Sequence, residues 1–502
     1  MNGFPILSVT LLLPIAGALL ITLVPPTRED LIKAIAAACT LGSLVLSLVV
    51  FCGYDQVQGG MQMTEAIPWV RDLGVRYALG VDGISIPLLL LTNLIGFSAV
   101  YASWHTGERV KEFFLLLLLL ISGVMGTFLA TDLFIFFLFY EVVVIPIYLL
   151  VIMFGSSQRV TKEYAGMKLT IYLLIGSAFL LVGLIILFVK GRALLGFPTM
   201  DINTLAGADF PVGLQVFVYC LMALGFGTLL SMFPFHAWSP DGYAGAPTAV
   251  SMIHAGVLKK IGGYGLIRIG LLLLPAGARY VAPVIAVLAL GNVVYAGIIC
   301  LTQKDLKYIV GYSSVSHMGY VLLGIASVNL ISLNGAVMMM FAHGVMAALF
   351  FAMIGNLYQQ SHTRNVFDFG GLAHQMPRLA VGFMLAGLAS LGLPGTANFI
   401  GEFTIFVGAF GVYNVLTILA ISGIVITAVY ILRTLGGVLF GPRRPEWDHL
   451  QDLRGVDMVP LLVLGGAILV GGILPFTIMD PINSGIGQLL GQIGPGQIGG
   501  IL

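Results

Sequence analysis

Long apolar runs separated by short polar loops dominate this chain, and no sustained period-two alternation competes with them. Fourteen runs are long enough to cross a bilayer as helices, near 4–25, 31–53, 84–104, 112–131, 133–153, 167–190, 211–235, 247–274, 281–302, 308–328, 332–357, 378–410, 415–440 and 458–477. A helix needs about 20 apolar residues to span the hydrocarbon layer. The pattern predicts an all-α polytopic membrane protein of about 14 transmembrane helices. Two runs carry breaks, at Met232–Phe235 (MFPF) and at Leu393–Gly395 (LPG). Proline removes a backbone donor and kinks a helix, and freed backbone groups are tolerated in a membrane only inside protein or beside water.

The broken runs are the seventh and the twelfth, five apart. Spans four to eight and nine to thirteen therefore read as two five-helix repeats, and an odd number of helices makes them inverted. Discontinuous helices in inverted repeats are a common transporter layout. The expected division is residues 1–111 for three N-terminal helices, 112–274 and 281–440 for the repeats, and 441–502 for the last helix and tail.

Composition sharpens the class. The chain is 59% hydrophobic and 9% charged, where soluble domains carry about 25% charged residues. A net charge of +1 and the lack of a basic, aromatic-laced patch argue against nucleic acid. The four cysteines are far apart, so neither a disulfide framework nor a metal cluster is readable. There is no P-loop and no GxGxxG after a strand, and GGYG at 262–265 reads as close helix packing. No cofactor or redox centre is expected in this chain. The first apolar run lacks a charged leader and cleavage site, and reads as a retained span.

Basic residues set the orientation. Loops after odd-numbered spans hold thirteen: Arg28, Lys33, Arg109, Lys111, Arg159, Lys162, Lys304, Lys307, Arg364, Arg378, Arg443, Arg444 and Arg454. Loops after even-numbered spans hold five: Arg71, Arg76, Lys190, Arg192 and Arg279. The positive-inside rule puts the odd loops in the cytoplasm, and fourteen spans then leave both termini outside. A bacterial plasma membrane is the expected location.

Ionisable residues inside the spans carry the candidate chemistry. An acid or lysine at a helix centre costs about 2.5–3.5 kcal/mol, so such groups are expected to face inward and handle charge. Glu141 lies near the middle of the run Leu133–Met153 and reads as a proton-binding carboxylate, or else as one paired for packing. Lys168 lies in the sixth span. Lys259 and Lys260 interrupt the eighth, and neighbours on a helix diverge by about 100°, so at most one shares a given face. His254 precedes them on the same span. His317 and His343, on neighbouring spans, suit proton shuttling, although lone buried histidines are often merely hydrogen-bonded. Glu402 follows the second break, placed to load or release a proton there. Asp132 reads as a helix N-cap, and His236, just past the first break, as a backbone cap.

Three strings are longer and more specific than any short motif: FPFHAWSPDGYAGAPTAVSMIHAGVLKKIGGYGLIR, DLKYIVGYSSVSHMGYVLLGI and SLGLPGTANFIGEFTIFVGAF. They resemble the subunit M (chain 4) family of proton-pumping NADH:quinone oxidoreductase, respiratory complex I, over about Asp82 to Phe440. Multisubunit sodium/proton antiporters and energy-converting hydrogenases share that ancestry. The resemblance implies fourteen helices with two inverted repeats. By position, Glu141 matches the family's essential glutamate on helix five, Lys260 its central lysine on helix eight, and Glu402 its exit carboxylate on helix twelve. His317 and His343 match histidines on the axis between them, Lys168 a lysine on helix six, and Lys307 one at the start of helix ten.

There is one departure at the expected partner of Glu141. The family's helix-seven lysine is Leu229 here, and Tyr243 and Gly245 replace a histidine and a glutamate in the following loop. Either Lys259 and His254 compensate, or the proton path in this chain is altered or broken.

The function expected from the resemblance is that of an antiporter-like membrane subunit. It would translocate protons coupled to quinone reduction in partner subunits, which would hold flavin, iron–sulfur clusters and quinone. The alternatives are a subunit of a multisubunit cation/proton antiporter or energy-converting hydrogenase, or a non-pumping structural subunit of a membrane arm.

Overall fold

The computed structural model describes residues 4–494, and among them every expected span is a helix. We label them α1 (Ile6–Leu23), α2 (Glu29–Gly53), α3 (Ser85–Ala102), α4 (Val110–Leu129), α5 (Leu133–Phe154), α6 (Lys162–Leu195), α7a (Val212–Leu230) and α7b (Trp238–Gly245). Then follow α8 (residues 248–273), α9 (Pro275–Thr302), α10 (Leu306–Ala326), α11 (Leu330–Ser361), α12a (Pro377–Ser390), α12b (Ala397–Phe410), α13 (Asn414–Leu439) and α14 (Met458–Ile473). Both expected breaks are present. The first occupies residues 231–237 and contains a cis Phe233–Pro234 bond; the second occupies residues 391–396.

Side-chain caps fix several helix starts by accepting from otherwise unpaired amides. Asp132 accepts from Phe134 N at 2.9 Å, Thr161 from Tyr164 N at 3.2 Å, Asp305 from Lys307 N at 2.8 Å and Asn329 from Ser332 N at 2.9 Å. Gly196, with φ of 83°, ends α6 in the left-handed conformation that glycine adopts freely. Burial pushes the Asp132 carboxyl upward, opposed by the backbone amides of Arg76, Ile135 and Phe134.

The layering follows burial. Along the most apolar windows α11 is wholly buried and α10 is 94% buried, whereas α13 and α14 are each 33% buried. Spans α8, α10 and α11 therefore form the interior, and the outer helices present apolar faces to lipid or to neighbouring chains. Small residues let the inner helices approach closely: an added Cβ on Gly344 of α11 would meet the Gly256 carbonyl of α8 at 2.6 Å.

Two elements were not anticipated. An antiparallel hairpin, β1 (Gln62–Val70) and β2 (Val75–Val81), fills the loop between α2 and α3, and an amphipathic helix, α15 (Phe476–Ile493), follows α14. The fourteenth span ends at Ile473 rather than near 477, because Leu474 and Pro475 turn the chain into α15. Helix α15 joins the segment between α2 and β1 through Gln488 Nε2, which donates to Gln58 O at 2.9 Å. The last part of the expected 441–502 segment, residues 495–502, lies outside the described residues.

Candidate functional site

Helix α8 departs from regular α geometry where its polar residues lie. Wider π turns occupy His254–Leu258 and Leu266–Leu271, flanking the lysine pair. Such turns occur often at functional sites. Lys259 and Lys260 are both fully buried, and the 100° between them sends each to a different partner.

Lys260 Nζ donates to His343 Nδ1 on α11 at 2.8 Å and also to the Ala255 carbonyl freed within the π turn. Since Nδ1 accepts, the neutral ring carries its proton on Nε2, and that nitrogen has no hydrogen-bond partner among the described residues. The His343 and His317 rings lie 5.5 Å apart. His317, on α10, faces a carbonyl with each nitrogen: Ser313 O at 2.7 Å from Nδ1 and Ser390 O at 2.9 Å from Nε2. Donating to both is possible only for the imidazolium. Its Nε2 also lies 3.7 Å from Glu402 Oε1 on α12b. Tyr320, whose hydroxyl is buried without a hydrogen-bond partner among the described residues, packs beside the His317 ring at 5.9 Å.

The structure thus brings Lys260, His343, His317 and Glu402 into one buried row across α8, α11, α10 and α12b. None of the four is more than 4% exposed. Ser390 ends α12a, so the helix end that borders the second break supplies a carbonyl to this row.

Lys259 turns the other way. Its Nζ donates to Ser314 Oγ at 3.2 Å and sits 5.3 Å from the centre of the Tyr243 ring, a cation–π arrangement. His254 is stacked on Trp238 at 5.0 Å, and neither of its ring nitrogens has a hydrogen-bond partner among the described residues. Lys307 Nζ donates to Ala246 O at 2.6 Å. It lines a cavity of about 500 Å³ with Ser103, Thr106, Gly155, Ser156 and Tyr358, at the end of the bundle bearing the odd-numbered loops.

Glu141 stands apart. It is partly exposed on the outer face of α5 and makes no hydrogen bond or ion pair with another described residue. Leu229 is fully buried, so the position expected to supply its cation offers only hydrocarbon. Lys168 joins a different carboxylate, donating to Asp241 Oδ2 at 2.6 Å. Asp241 Oδ1 accepts from Tyr308 Oη at 2.7 Å. Sequence reasoning missed Asp241 because it lies in the turn-like string SPDG, although a carboxylate right after an intramembrane break was a readable signal.

Asp241 lies on α7b, where several of these contacts converge. Within nine residues this segment offers Trp238 to His254, Asp241 to Lys168, Tyr243 to Lys259, Ala244 O to Arg364 at 2.8 Å and Ala246 O to Lys307. His236, just before it, is buried against Phe233 and Tyr295. Among the described residues, no group of three or more His, Cys, Asp or Glu side chains is placed to hold a metal ion.

Known proteins resemble this chain along nearly its whole length. Residues 130–427 match the family described as NADH:quinone oxidoreductase/Mrp antiporter, TM. The NAD(P)H-quinone oxidoreductase chain 4 1 of Synechococcus sp. (strain JA-3-3Ab) is 39% identical over 485 residues, covering 94% of this chain and 90% of the relative. The NADH-quinone oxidoreductase subunit M of Rhodobacter capsulatus is 33% identical over 503 residues, covering 97% and 96%. A chain of respiratory complex I from Thermus thermophilus, solved with bound NADH, superposes with a TM-score of 0.87 at 26% identity, covering 97% of this chain and all of that one. The chain therefore belongs to the NADH:quinone oxidoreductase/Mrp antiporter transmembrane family, among its chain 4 or subunit M members.

Proposed function

We propose that this chain is the antiporter-like membrane subunit of a complex I-type NADH:quinone oxidoreductase and carries protons across the membrane. The observation that carries the reading is the buried row Lys260–His343–His317–Glu402. Stability alone is a poor reason to bury such groups, since replacing a buried charged cluster by hydrocarbon is often neutral or stabilising. Titratable groups this close exchange protons as a set. Lys307 and its cavity are the intake on the cytoplasmic side, Lys259 and Lys260 the centre, and Glu402 the release group beside the second break. Lys168, His254 and Glu141 belong to the same assembly, with Glu141 facing a neighbouring subunit.

The basic-residue asymmetry supports a bacterial plasma membrane with both termini outside. The two breaks, five spans apart, support division into residues 1–111, 112–274, 281–440 and 441–502, the middle two being inverted repeats. Flavin, iron–sulfur clusters and quinone belong to partner subunits of the membrane and peripheral arms. A second reading, a cation/proton antiporter without a quinone link, is favoured by the family's inclusion of Mrp antiporters.

The test is NADH-driven proton uptake by inverted membrane vesicles holding the assembled complex. Glu402→Gln is expected to abolish the share of pumping due to this subunit while leaving NADH:ferricyanide reductase activity unchanged. Pumping at the wild-type proton-to-electron ratio in that variant would overturn the relay, and purification of the chain without redox subunits would favour the antiporter.

A further inference from the structure

We infer that Asp241 is a proton-accepting group of this subunit and that α7b is the element its charge state moves. The inference rests on the pumping reading above and adds a residue and a moving part to it. Each oxygen of the Asp241 carboxylate is committed, Oδ2 to the Lys168 ammonium at 2.6 Å and Oδ1 to the Tyr308 hydroxyl at 2.7 Å. Protonation turns Oδ2 or Oδ1 into an O–H donor and removes the negative charge, which weakens the contact made by that oxygen. Other charged or titratable groups around the cluster include Tyr164 on α6, Tyr312 on α10, Tyr295 on α9, His236 before α7b, Asp305 before α10 and Arg159, whose guanidinium lies over the Tyr308 ring at 4.2 Å.

Exposure fits proton exchange. The Lys168 and Asp241 side chains are 20% and 18% exposed, so the pair is not sealed inside the bundle as the Lys260–Glu402 row is.

Placement gives it reach. Asp241 is the one acid in α7b, and the same nine-residue segment touches Lys259 through Tyr243 and Lys307 through Ala246 O. The helix follows a break, so it can shift without dragging a continuous span. A proton from water converts the carboxylate to the acid. The Lys168 ammonium then loses its counter-charge and α7b loses its tie to α6, which changes the surroundings of both buried lysines. With Leu229 leaving Glu141 no cationic partner among the described residues, Lys168–Asp241 is a carboxylate–lysine ion pair between membrane helices α6 and α7b.

The experiment compares Asp241→Asn and Asp241→Glu in the assembled complex, with NADH-driven proton uptake and redox-induced infrared difference spectra as readouts. Asp241→Asn is expected to remove this subunit's share of the proton uptake, the same share that Glu402→Gln removes. It should also remove a band from the carboxylic-acid C=O region, and Asp241→Glu should restore both. Wild-type pumping in Asp241→Asn with the band unchanged would overturn the inference. If Asp241→Asn does not assemble, Tyr308→Phe leaves both charges in place. It is expected to shift the same band, and an unshifted band overturns the inference equally. Normal pumping in Asp241→Asn alongside lost pumping in Glu402→Gln would defeat this inference alone. Normal pumping in Glu402→Gln would defeat the functional reading.

Discussion

Replacing His343 by leucine removes the acceptor for Lys260 while leaving no room for water to take its place. In the native arrangement the ammonium has two acceptors, His343 Nδ1 at 2.8 Å and the Ala255 carbonyl, and no measurable exposure. A buried hydrogen bond to a charged group contributes about 1.5–3 kcal/mol. At 1.36 kcal/mol per decade, a step requiring Lys260 to hold its proton slows by about 10- to 150-fold. The readout is the initial rate of NADH-driven proton uptake in inverted vesicles, normalised to NADH:ferricyanide reductase activity so that assembly is corrected for. His343→Leu, Lys260→Met and the double variant form a cycle, and the double variant is expected to be no worse than the poorer single one, because the two residues act through one contact. Proton uptake by His343→Leu within about twofold of wild type, or strictly additive losses, would refute the coupling.

Orientation and packing give two further predictions. Single cysteines at Arg71 and Arg443, in the loops after spans two and thirteen, should react with a membrane-impermeant thiol reagent from opposite sides, Arg71→Cys from outside and Arg443→Cys from the cytoplasm; the reverse pattern would invert the topology. Gly344→Ala places a methyl group 2.6 Å from the Gly256 carbonyl, an overpacking that costs about 1–3 kcal/mol, so the assembled complex should lose activity at a lower temperature than wild type, and an unchanged inactivation temperature would show that the α8–α11 contact yields easily.

The membrane architecture was legible because hydrocarbon imposes it. Runs of about twenty apolar residues have few alternatives to spanning helices, and Pro234 and Pro394 marked both breaks. The hairpin and α15 were not legible. Both lie outside the apolar runs, where pairing depends on contacts such as Gln488 with the Gln58 carbonyl, which no local pattern announces. The buried row was foreseeable as a set of residues, since each member was a charged or titratable side chain in an apolar run. Its order was not. Lys260 reaches His343 across 83 positions and His317 reaches the Ser390 carbonyl across 73, and only helix packing decides which face meets which.

Asp241 shows a different limit. A carboxylate in SPDG looks like a turn residue in sequence, because aspartate beside proline and glycine usually is one. Its identity as an intramembrane group follows only when α7b folds back between α6 and α10. The same fold accounts for Glu141. A partly exposed carboxylate at mid-span with no cationic partner among the described residues is unfavourable against lipid by about 2.5–3.5 kcal/mol, and Leu229 cannot relieve that. The cost disappears if a neighbouring subunit covers α5 and supplies the positive charge. On this argument the loss of the helix-seven lysine moves a pairing from within this chain to its boundary, and leaves the broken seventh span to run its own pair through Asp241.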